Sequence, residues 1–380
     1  MRTATATRIA LFVAASTLST AAWGALAVTP KGAAGVTALS MANALLSASS
    51  GITINSATYT GVDNASGLFT GGTGIIGFES GVLLTSGAVN HVLGPNDDDG
   101  AGEANFAPGD AQLEDELPGA PVSFDASVLT INFTPTGDQI RFSYVFASEE
   151  YNEYVGSEYN DIFAFFLGGT NYALIAGTST PVAINNINCG YGTEPPSNCH
   201  LFVDNTDAHL NTQMDGLTKV LTFTAPVNPG VQNTIRLAIA DIADPILDSA
   251  VFLAAGTLTG SSACVPDATT ACLLGGRFEV KIRWTNYQQV TSDALKASAG
   301  TSDSQIFYFT NPNNWEFLIK IINGCSLNSR YWVYFAAATD VGYVVSVRDT
   351  SSALPAKTYT NPLGTASPAV NDSSAFATCP

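Results

Sequence analysis

Positive charge is scarce in this sequence, and the scarcity excludes several kinds of function. The chain has 14 Lys and Arg against 32 Asp and Glu, which gives a formal net charge of −18. Such a chain lacks the basic surface that holds nucleic acid, so we expect no nucleic-acid partner. There are three histidines, and neither a G-x-S-x-G nor an H-E-x-x-H motif occurs. Nucleophilic hydrolysis and histidine-ligated metal catalysis are therefore disfavoured, and we predict that the protein is not an enzyme.

Long apolar runs are also lacking. The run at residues 9–15 follows Arg2 and Arg8 and precedes an Ala-Leu-Ala site at residues 25–27, which is the layout of a secretory signal peptide. The run is shorter than the roughly 20 apolar residues that a membrane-spanning helix needs. We predict that residues 1–27 are a signal peptide, that no integral membrane segment follows its cleavage, and that the mature protein is secreted or at the cell surface.

Charged residues amount to 12% of the chain, too few for helices that are stabilised by ion pairs. Short β-like segments instead alternate with turns rich in Gly, Pro and Asn. We predict an all-β protein with two β-sandwich-like domains. The first, residues 34–258, has one short N-terminal helix and long acidic loops, and the second, residues 264–380, is a disulfide-stapled sandwich.

Local patterns give more detailed predictions within the first domain. Apolar residues recur at near-helical intervals in residues 35–49, which form the one good helix candidate. Residues 75–78 are expected to form a strand. Residues 219–223 and 234–240 are expected to pair with each other as antiparallel strands across a Pro- and Gly-containing turn.

The six cysteines, an even number, are typical of an exported protein with disulfides. Cys189 and Cys199 bracket a loop rich in Gly and Pro, far from the others, so we expect them to pair. The other four are expected to staple the C-terminal domain, in a pairing that the sequence leaves open: Cys264, Cys272, Cys325 and Cys379. A zinc site would need tighter C-x-x-C spacing.

The chemistry concentrates in residues 141–167, where an acidic loop lies between two apolar, aromatic segments that are typical of strands. A second acidic loop, residues 241–248, also lies between apolar segments. If both loops lie at the same end of a sandwich, their carboxylates can converge as oxygen ligands for calcium. The candidate metal ligands are Glu149, Glu150, Asp161, Asp241, Asp244 and Asp248. The alternative is that these acids cap turns and accept hydrogen bonds from tyrosines and backbone amides.

Aromatic residues support a second function, carbohydrate binding, because their faces stack on sugar rings. Those near the acidic loop are Tyr151, Tyr154, Tyr159 and Tyr191. Packing in the core or at a sheet edge is the competing interpretation for them. In the C-terminal domain, the tryptophans within strand-like segments are expected in the core: Trp284, Trp315 and Trp332.

Glycoside hydrolysis is a third and weaker hypothesis. It needs two carboxylates, and Glu149 with Asp161 or Asp241 would meet that requirement, as pairs in any acidic protein do.

The NDDDG run at residues 96–100 lacks the spacing of a D-x-D-x-D-G calcium loop, so a solvated loop is expected there.

Several ordered motifs resemble the bacterial choice-of-anchor L domain. They are YVFASEEY (144–151), NDIFAFFL (160–167), ALIAGT (173–178), PVAINNIN (181–188), MDGLT (214–218) and residues 239–253. The similarity covers residues 34–258. The resemblance implies a domain near the start of exported bacterial proteins whose C-termini carry varied surface-anchoring signals, and it implies no catalytic activity. The final residues, AFATCP, show neither a sorting motif nor an apolar tail.

Residues 264–380 are similar to an uncharacterised domain of exported bacterial proteins, through CLLGGRFEV at 272–280, Trp284 and Asp340-Val341. That similarity implies no activity, and we expect a disulfide-stapled spacer or interaction module.

The predicted function of the whole protein is a non-catalytic role in adhesion or extracellular-matrix interaction, with calcium as a stabilising ion. The expected partner is an extracellular ligand, a glycan or a surface protein.

Overall fold

The computed structural model describes residues 25–33, 35–47, 50–261, 264–352 and 354–379. The predicted signal peptide lies outside these residues except for residues 25–27. The described chain is mostly β-strand with few helical turns, which confirms the all-β prediction. No helix in these ranges is both long and apolar enough to cross a membrane.

The first part of the chain, the N-terminal sandwich, contains two helices, α1 (Ala38–Leu45) and α2 (Ala111–Glu114). Its strands are β1 (Ala27–Pro30), β2 (Ile52–Thr60), β3 (Ser66–Thr70), β4 (Ser80–Thr85), β5 (Ser123–Pro135), β6 (Gln139–Ser148), β7 (Ile162–Leu167), β8 (Thr170–Asn171), β9 (Val182–Ala183), β10 (Phe202–Asp204), β11 (Gly216–Thr218), β12 (Leu221–Pro226), β13 (Asn233–Ile242), β14 (Ser249–Ala254) and β15 (Thr259–Ser261).

These strands form two antiparallel sheets. Sheet I has the order β1-β3-β4-β14-β6-β11-β10, and β12 and β15 also pair with β6. Sheet II has the order β2-β5-β13-β7-β8, and β9 also pairs with β7. Strand β6 is thus the most connected strand of sheet I, with β14 and β15 along one edge and β11 and β12 along the other.

Aromatic side chains fill the space between the two sheets. Phe142 and Tyr144 of β6 meet Phe165 and Phe163 of β7, and both ring pairs have centroids 5.2 Å apart. The alternation of sequence positions in β6 places these rings on one face. Burying one such side chain contributes roughly 1.5–3 kcal/mol, so this layer fixes how the sheets face each other.

The outer faces of both sheets are also covered. Ile162, Ala164 and Phe166 of β7 pack away from sheet I against a cluster that includes Leu113 of α2. Strand β7 is therefore buried on both sides, which explains why residues 162–167 are continuously apolar instead of alternating.

Helix α1 confirms the helix prediction but is shorter than residues 35–49. Thr37 and Ser40 form a capping box at its start, in which each side chain accepts the other's backbone N–H. The helix ends at Leu45 because the backbone of Leu46 is extended and forms a bridge with Leu258.

Two strand predictions are wrong. Residues 75–78 form a turn, in which the Gly72 carbonyl accepts the amides of Ile75 and Ile76. Residues 219–223 and 234–240 do not pair with each other, since β12 pairs with β6 in sheet I and β13 pairs with β5 and β7 in sheet II. The intervening turn crosses from one sheet to the other instead of closing a hairpin.

The rest of the chain, the C-terminal sandwich, contains α3 (Cys325–Asn328). Its strands are β16 (Ala271–Leu273), β17 (Phe278–Thr285), β18 (Thr291–Asp293), β19 (Leu295–Gly300), β20 (Ser304–Tyr308), β21 (Phe317–Asn323), β22 (Tyr331–Ala337), β23 (Gly342–Asp349), β24 (Lys357–Asn361) and β25 (Val370–Phe376). Sheet III is β16-β17-β23-β24 with β18 on β17, and sheet IV is β19-β20-β21-β22-β25. One apolar cluster joins the two sheets.

All six cysteines are paired. Cys189 bonds Cys199, in the pairing that the sequence favoured. The C-terminal cysteines pair as Cys264 with Cys272 and Cys325 with Cys379, which resolves the connectivity that the sequence left open.

The tryptophan prediction holds in part. Trp284 is 5% exposed and stacks on Phe309 within the core. Trp332 is half-buried, and its indole N–H donates to Asn328. Trp315 is 56% exposed, so its prediction as a core residue was wrong. The reason is that β21 begins only at Phe317, which leaves Trp315 in the preceding loop.

Candidate functional site

Carboxylates gather at one end of the N-terminal sandwich, where four strands begin or end. Glu149 and Glu150 follow β6, and Asp248 precedes β14, in sheet I. Asp161 precedes β7, and Asp241 is the penultimate residue of β13, in sheet II. Because β6 pairs with β14 and β7 pairs with β13, these strand ends lie side by side. The two acidic loops therefore lie at the same end of the sandwich.

Asp161 joins the two sheets at this end. One of its carboxylate oxygens accepts the backbone N–H of Ile242 at 2.8 Å, and the other accepts the Ser249 hydroxyl at 2.7 Å. Ile242 ends β13 in sheet II, whereas Ser249 begins β14 in sheet I. Asp161 is fully buried, and its hydrogen bonds are those of a structural carboxylate.

Glu149 and Asp241 differ from Asp161, because their carboxylates have no partner. Each residue is 1% exposed, and none of the four oxygens has a hydrogen-bond partner among the described residues. Uncompensated burial of a carboxylate is strongly unfavourable unless it is neutralised by a proton or a cation.

The donors next to these two carboxylates are engaged elsewhere. The Gln213 amide, beside Glu149, donates to the carbonyl of Asp98 at 2.8 Å. The Ser86 hydroxyl, beside Asp241, exchanges hydrogen bonds with the backbone of Ser249. The surrounding protein therefore leaves the oxygens of Glu149 and Asp241 to another partner.

Glu150 lies near Asp161 and Asp244, and of Glu150 and Asp244 only Asp244 is at the rim of this cluster. Glu150 is 3% exposed, and its Oε2 has no partner among the described residues. Asp244 is only partly buried, and its Oδ1 accepts the backbone N–H of Ile246 at 3.1 Å, as in a turn. Asp244 thus agrees with the turn-capping alternative.

Asp248 is paired with a histidine. Its Oδ2 lies 3.1 Å from Nδ1 of His91, and its Oδ1 accepts the backbone N–H of Glu103 at 3.2 Å. The hydrogen bond to Asp248 raises the pKa of His91, which favours the imidazolium form. Sequence analysis did not connect His91 with the acidic loops, because 157 positions separate it from Asp248.

The electrostatics of the cluster favour neutralisation. Burial, followed by repulsion from Asp215 and Asp248, raises the pKa of Glu149 to about 10. Burial, followed by repulsion from Asp161, raises the pKa of Asp241 well above its ordinary value. In the absence of a cation, Glu149 holds a proton at neutral pH and the neutral form of Asp241 is favoured, so a cation must compete with protons for these groups.

Two residues near Glu149, Asp215 and Gln213, were missed as site residues. Asp215 is 3% exposed and accepts a hydrogen bond from the Asn96 side chain at 2.6 Å. Gln213 holds the Asp98 carbonyl, as described above, so the NDDDG loop folds over this end of the sandwich. The sequence signal for Asp215 was the MDGLT motif, which contains this residue but does not indicate which side chains it contacts.

The tyrosines of the acidic loop have different environments. Tyr151 is fully buried, and its hydroxyl donates to the Ile187 carbonyl at 2.7 Å, so it is a core residue. Tyr154 is 38% exposed and meets Tyr159 edge-on at 5.3 Å. Tyr191 is 49% exposed. The exposed rings of this region are therefore those of Tyr154 and Tyr191.

Within the ranges that the structure describes, no three Asp, Glu, His or Cys side chains form a ready metal-binding group. The unpartnered oxygens belong to different carboxylates, and Asp248 repels both Glu149 and Asp241. A hard cation here would combine one or two of these carboxylates with neighbouring carbonyl and amide oxygens, which is a normal calcium ligand set.

The family model for the choice-of-anchor L domain matches residues 29–259, more than half of the chain. The chain belongs to the choice-of-anchor L family. The match begins five residues before the start that the sequence motifs indicated, near the first strand of sheet I. No curated protein and no solved structure gives a significant match. Together with the three disulfides, membership of the choice-of-anchor L family suggests an exported or cell-surface bacterial protein.

Proposed function

We propose that this choice-of-anchor L protein is a non-catalytic, exported protein that acts in adhesion or matrix interaction, and that calcium stabilises its N-terminal sandwich. The observation that supports calcium is the pair of buried carboxylates, Glu149 and Asp241, whose four oxygens lack partners. A divalent cation would replace the protons on these groups and remove the repulsion among them.

Burial also weighs against glycoside hydrolysis. A glycosidase presents its two carboxyl groups on either side of a bound sugar in an open cleft. Glu149, Asp161 and Asp241 are 1%, 0% and 1% exposed, so a polysaccharide cannot approach them. Their burial supports a role in the stability of the cation-bound fold, and we propose that ligand contact is made by the loops around them.

The calcium proposal is tested by thermal unfolding in calcium and in chelator. We expect calcium to raise the melting temperature of the wild-type protein. Glu149→Gln should reduce this increase without lowering the melting temperature in chelator, because the side chain of Glu149 is already protonated there. Glu153→Gln changes an exposed glutamate of the same loop and should retain the full increase. Equal melting temperatures of the wild type in calcium and chelator would reject the proposal.

The adhesion proposal is tested separately with fluorescently labelled protein on bacterial cells, matrix proteins and a glycan array. We expect retention on at least one of these surfaces. Failure to bind any of them would reject adhesion while leaving the calcium result unaffected.

Carbohydrate binding is the second candidate, supported by the exposed rings of Tyr154 and Tyr191. Exposed tyrosine rings supply flat apolar area for stacking with a polar edge. Glycan binding that is lost in Tyr154→Ala or Tyr191→Ala would favour this candidate. Glycan binding that survives both substitutions would argue against it.

A further inference from the structure

A cleft of about 320 Å³ lies where the two sandwiches meet. Arg141 and Ser143 of β6, with Thr257 and Thr259, form the wall from the N-terminal sandwich. A hydrogen bond from the Thr259 hydroxyl to the Ser351 carbonyl, at 3.2 Å, joins the two sandwiches beside it. Arg141 is eight positions from Glu149 along an extended strand, roughly 26 Å, so the cleft is distinct from the acidic cluster.

The guanidinium of Arg141 lines this cleft and has no hydrogen-bond or ion-pair partner among the described residues. Its side chain makes no hydrogen bond or ion pair with the described residues, although the residue is partly buried. In contrast, several other cations of this acidic protein are paired with carboxylates, such as Lys31 with Asp63 and Arg236 with Asp110. Burial lowers the pKa of Arg141, and so does repulsion from Arg277. Leaving a partly buried guanidinium without an anion is unfavourable.

The opposite wall carries a second guanidinium that is rigidly held. Arg277 forms a two-pronged ion pair with Asp349, in which its Nε donates to Oδ1 at 3.2 Å and its Nη2 donates to Oδ2 at 2.9 Å. Its Nη1 donates to the Tyr331 hydroxyl at 2.7 Å, and the guanidinium lies 4.1 Å from the centre of that ring. Since Asp349 compensates the charge of Arg277, the positive charge of Arg141 is the one that stays uncompensated in the cleft.

The remaining polar groups of the cleft are hydroxyls. The Ser351 hydroxyl donates its proton to Asp349, so this proton is not available to a ligand. The Ser352 oxygen accepts the Leu354 amide, but no described residue accepts the proton of Ser352 or of Ser47. The free groups of the cleft are therefore the guanidinium of Arg141, which only donates, and two serine hydroxyls, which can also donate. Such a set is complementary to a ligand that brings acceptors and negative charge.

We propose that this cleft binds the anionic group of an acidic saccharide, with the carboxylate or sulfate on Arg141 and the sugar hydroxyls on Ser47 and Ser352. The volume is at the lower end of the range for small-ligand sites, which suits one sugar unit. Leu354 and Ala377 supply an apolar edge to the lining. Because both sandwiches contribute residues, the bound unit links them.

The experiment is isothermal titration of the full-length protein with glucuronate, glucose 6-sulfate, neutral glucose and inorganic sulfate at one ionic strength. We expect at least one acidic sugar to bind and glucose to bind much more weakly. Arg141→Gln should weaken binding of the acidic sugar by at least about tenfold, because a charge-assisted hydrogen bond is lost. Comparing glucuronate with glucose 6-sulfate identifies which anionic group the cleft selects.

Arg283→Gln is the matched control, since Arg283 is exposed on β17 and lies outside this cleft. It makes the same change of charge and should leave binding unaltered. Ser352→Ala provides a milder variant that should weaken sugar binding without changing charge. Equal binding of glucose and the acidic sugars, binding of inorganic sulfate alone, or full binding by Arg141→Gln would each overturn the proposal. None of these results depends on calcium.

Discussion

The carboxylate of Asp161, immediately before β7 of sheet II, accepts a hydrogen bond of 2.7 Å from the hydroxyl of Ser249 in sheet I. The same carboxylate also holds the amide of Ile242 at the end of β13. One fully buried side chain thus fixes the spacing of two sheets at the end where the acidic loops lie. The stability of this end depends on Asp161 independently of any bound ion.

Removing the Asp161 carboxylate should be costly. In Asp161→Ala, the Ile242 N–H and the Ser249 hydroxyl both lose their acceptor, so we expect a loss of about 2–4 kcal/mol in the free energy of unfolding. Asp161→Asn retains one acceptor oxygen and should lose less. Urea unfolding in chelator measures both. Asp244→Ala, at the rim, should change stability by less than about 0.5 kcal/mol, and an equal loss in both alanine variants would contradict this account.

The stability of the cation-free protein should fall as pH rises. The pKa of Glu149 is raised to about 10 in the folded state from 4.5, so the folded protein binds more protons than the unfolded chain between these values. Stabilisation is therefore complete below about pH 4.5 for this group and is lost towards pH 10. Asp241 acts in the same direction. Calorimetry in chelator should give a higher melting temperature at pH 5 than at pH 8.

Calcium should reduce this pH effect, since the ion stabilises the ionised carboxylates that high pH produces. The same calorimetry, repeated in calcium, should show a smaller difference between pH 5 and pH 8. Glu149→Gln in chelator should also show a smaller difference, because one of the titrating groups is gone. A melting temperature that rises from pH 5 to pH 8 in chelator would refute the assignment.

The disulfide Cys325–Cys379 should contribute more to stability than Cys189–Cys199. It closes a loop with a sequence separation of 54, against 10 for the other. The chain-entropy relation gives about 4 kcal/mol for the longer loop and about 3 kcal/mol for the shorter one. Calorimetry of the paired Cys→Ser variants compares them, and a larger loss at Cys189–Cys199 would contradict the expectation.

The two tryptophans of contrasting exposure should respond differently to truncation. Trp284→Ala removes a core ring stacked on Phe309 and should cost about 3–5 kcal/mol. Trp315→Ala removes a 56% exposed ring and should change stability by less than about 0.5 kcal/mol. Urea unfolding followed by far-ultraviolet circular dichroism measures both variants, and a large loss at Trp315 would mean that its ring is packed in solution.

The strands around the acidic loops could be predicted because their burial is visible in the sequence. Residues 162–167 are continuously apolar, as a strand covered on both faces must be, and β6 alternates as a strand with one aromatic face does. The sheet to which each strand belongs was harder to predict from the sequence. The segments 219–223 and 234–240 have a turn between them, but local pattern does not distinguish a hairpin from a crossing between sheets.

The acidic loops of the candidate site could be predicted from the sequence, but the residues that contact these loops from distant segments could not. Glu149 and Asp241 stood out because carboxylates next to strands are conspicuous. Asp215 and His91 reach the same end of the sandwich from distant segments, and no local signal marks such contacts. The burial of Tyr151 was hidden for a similar reason, since its hydroxyl partner, the Ile187 carbonyl, lies 36 positions away.

Strand β15 has a mechanical consequence. It forms three residue pairs with β6, at Gln139–Arg141, immediately before the chain enters the C-terminal sandwich. Tension between the two sandwiches is therefore applied first to this short pairing and not to the long central strands. Peeling β15 away would lengthen the connection and relieve the load before either core is strained.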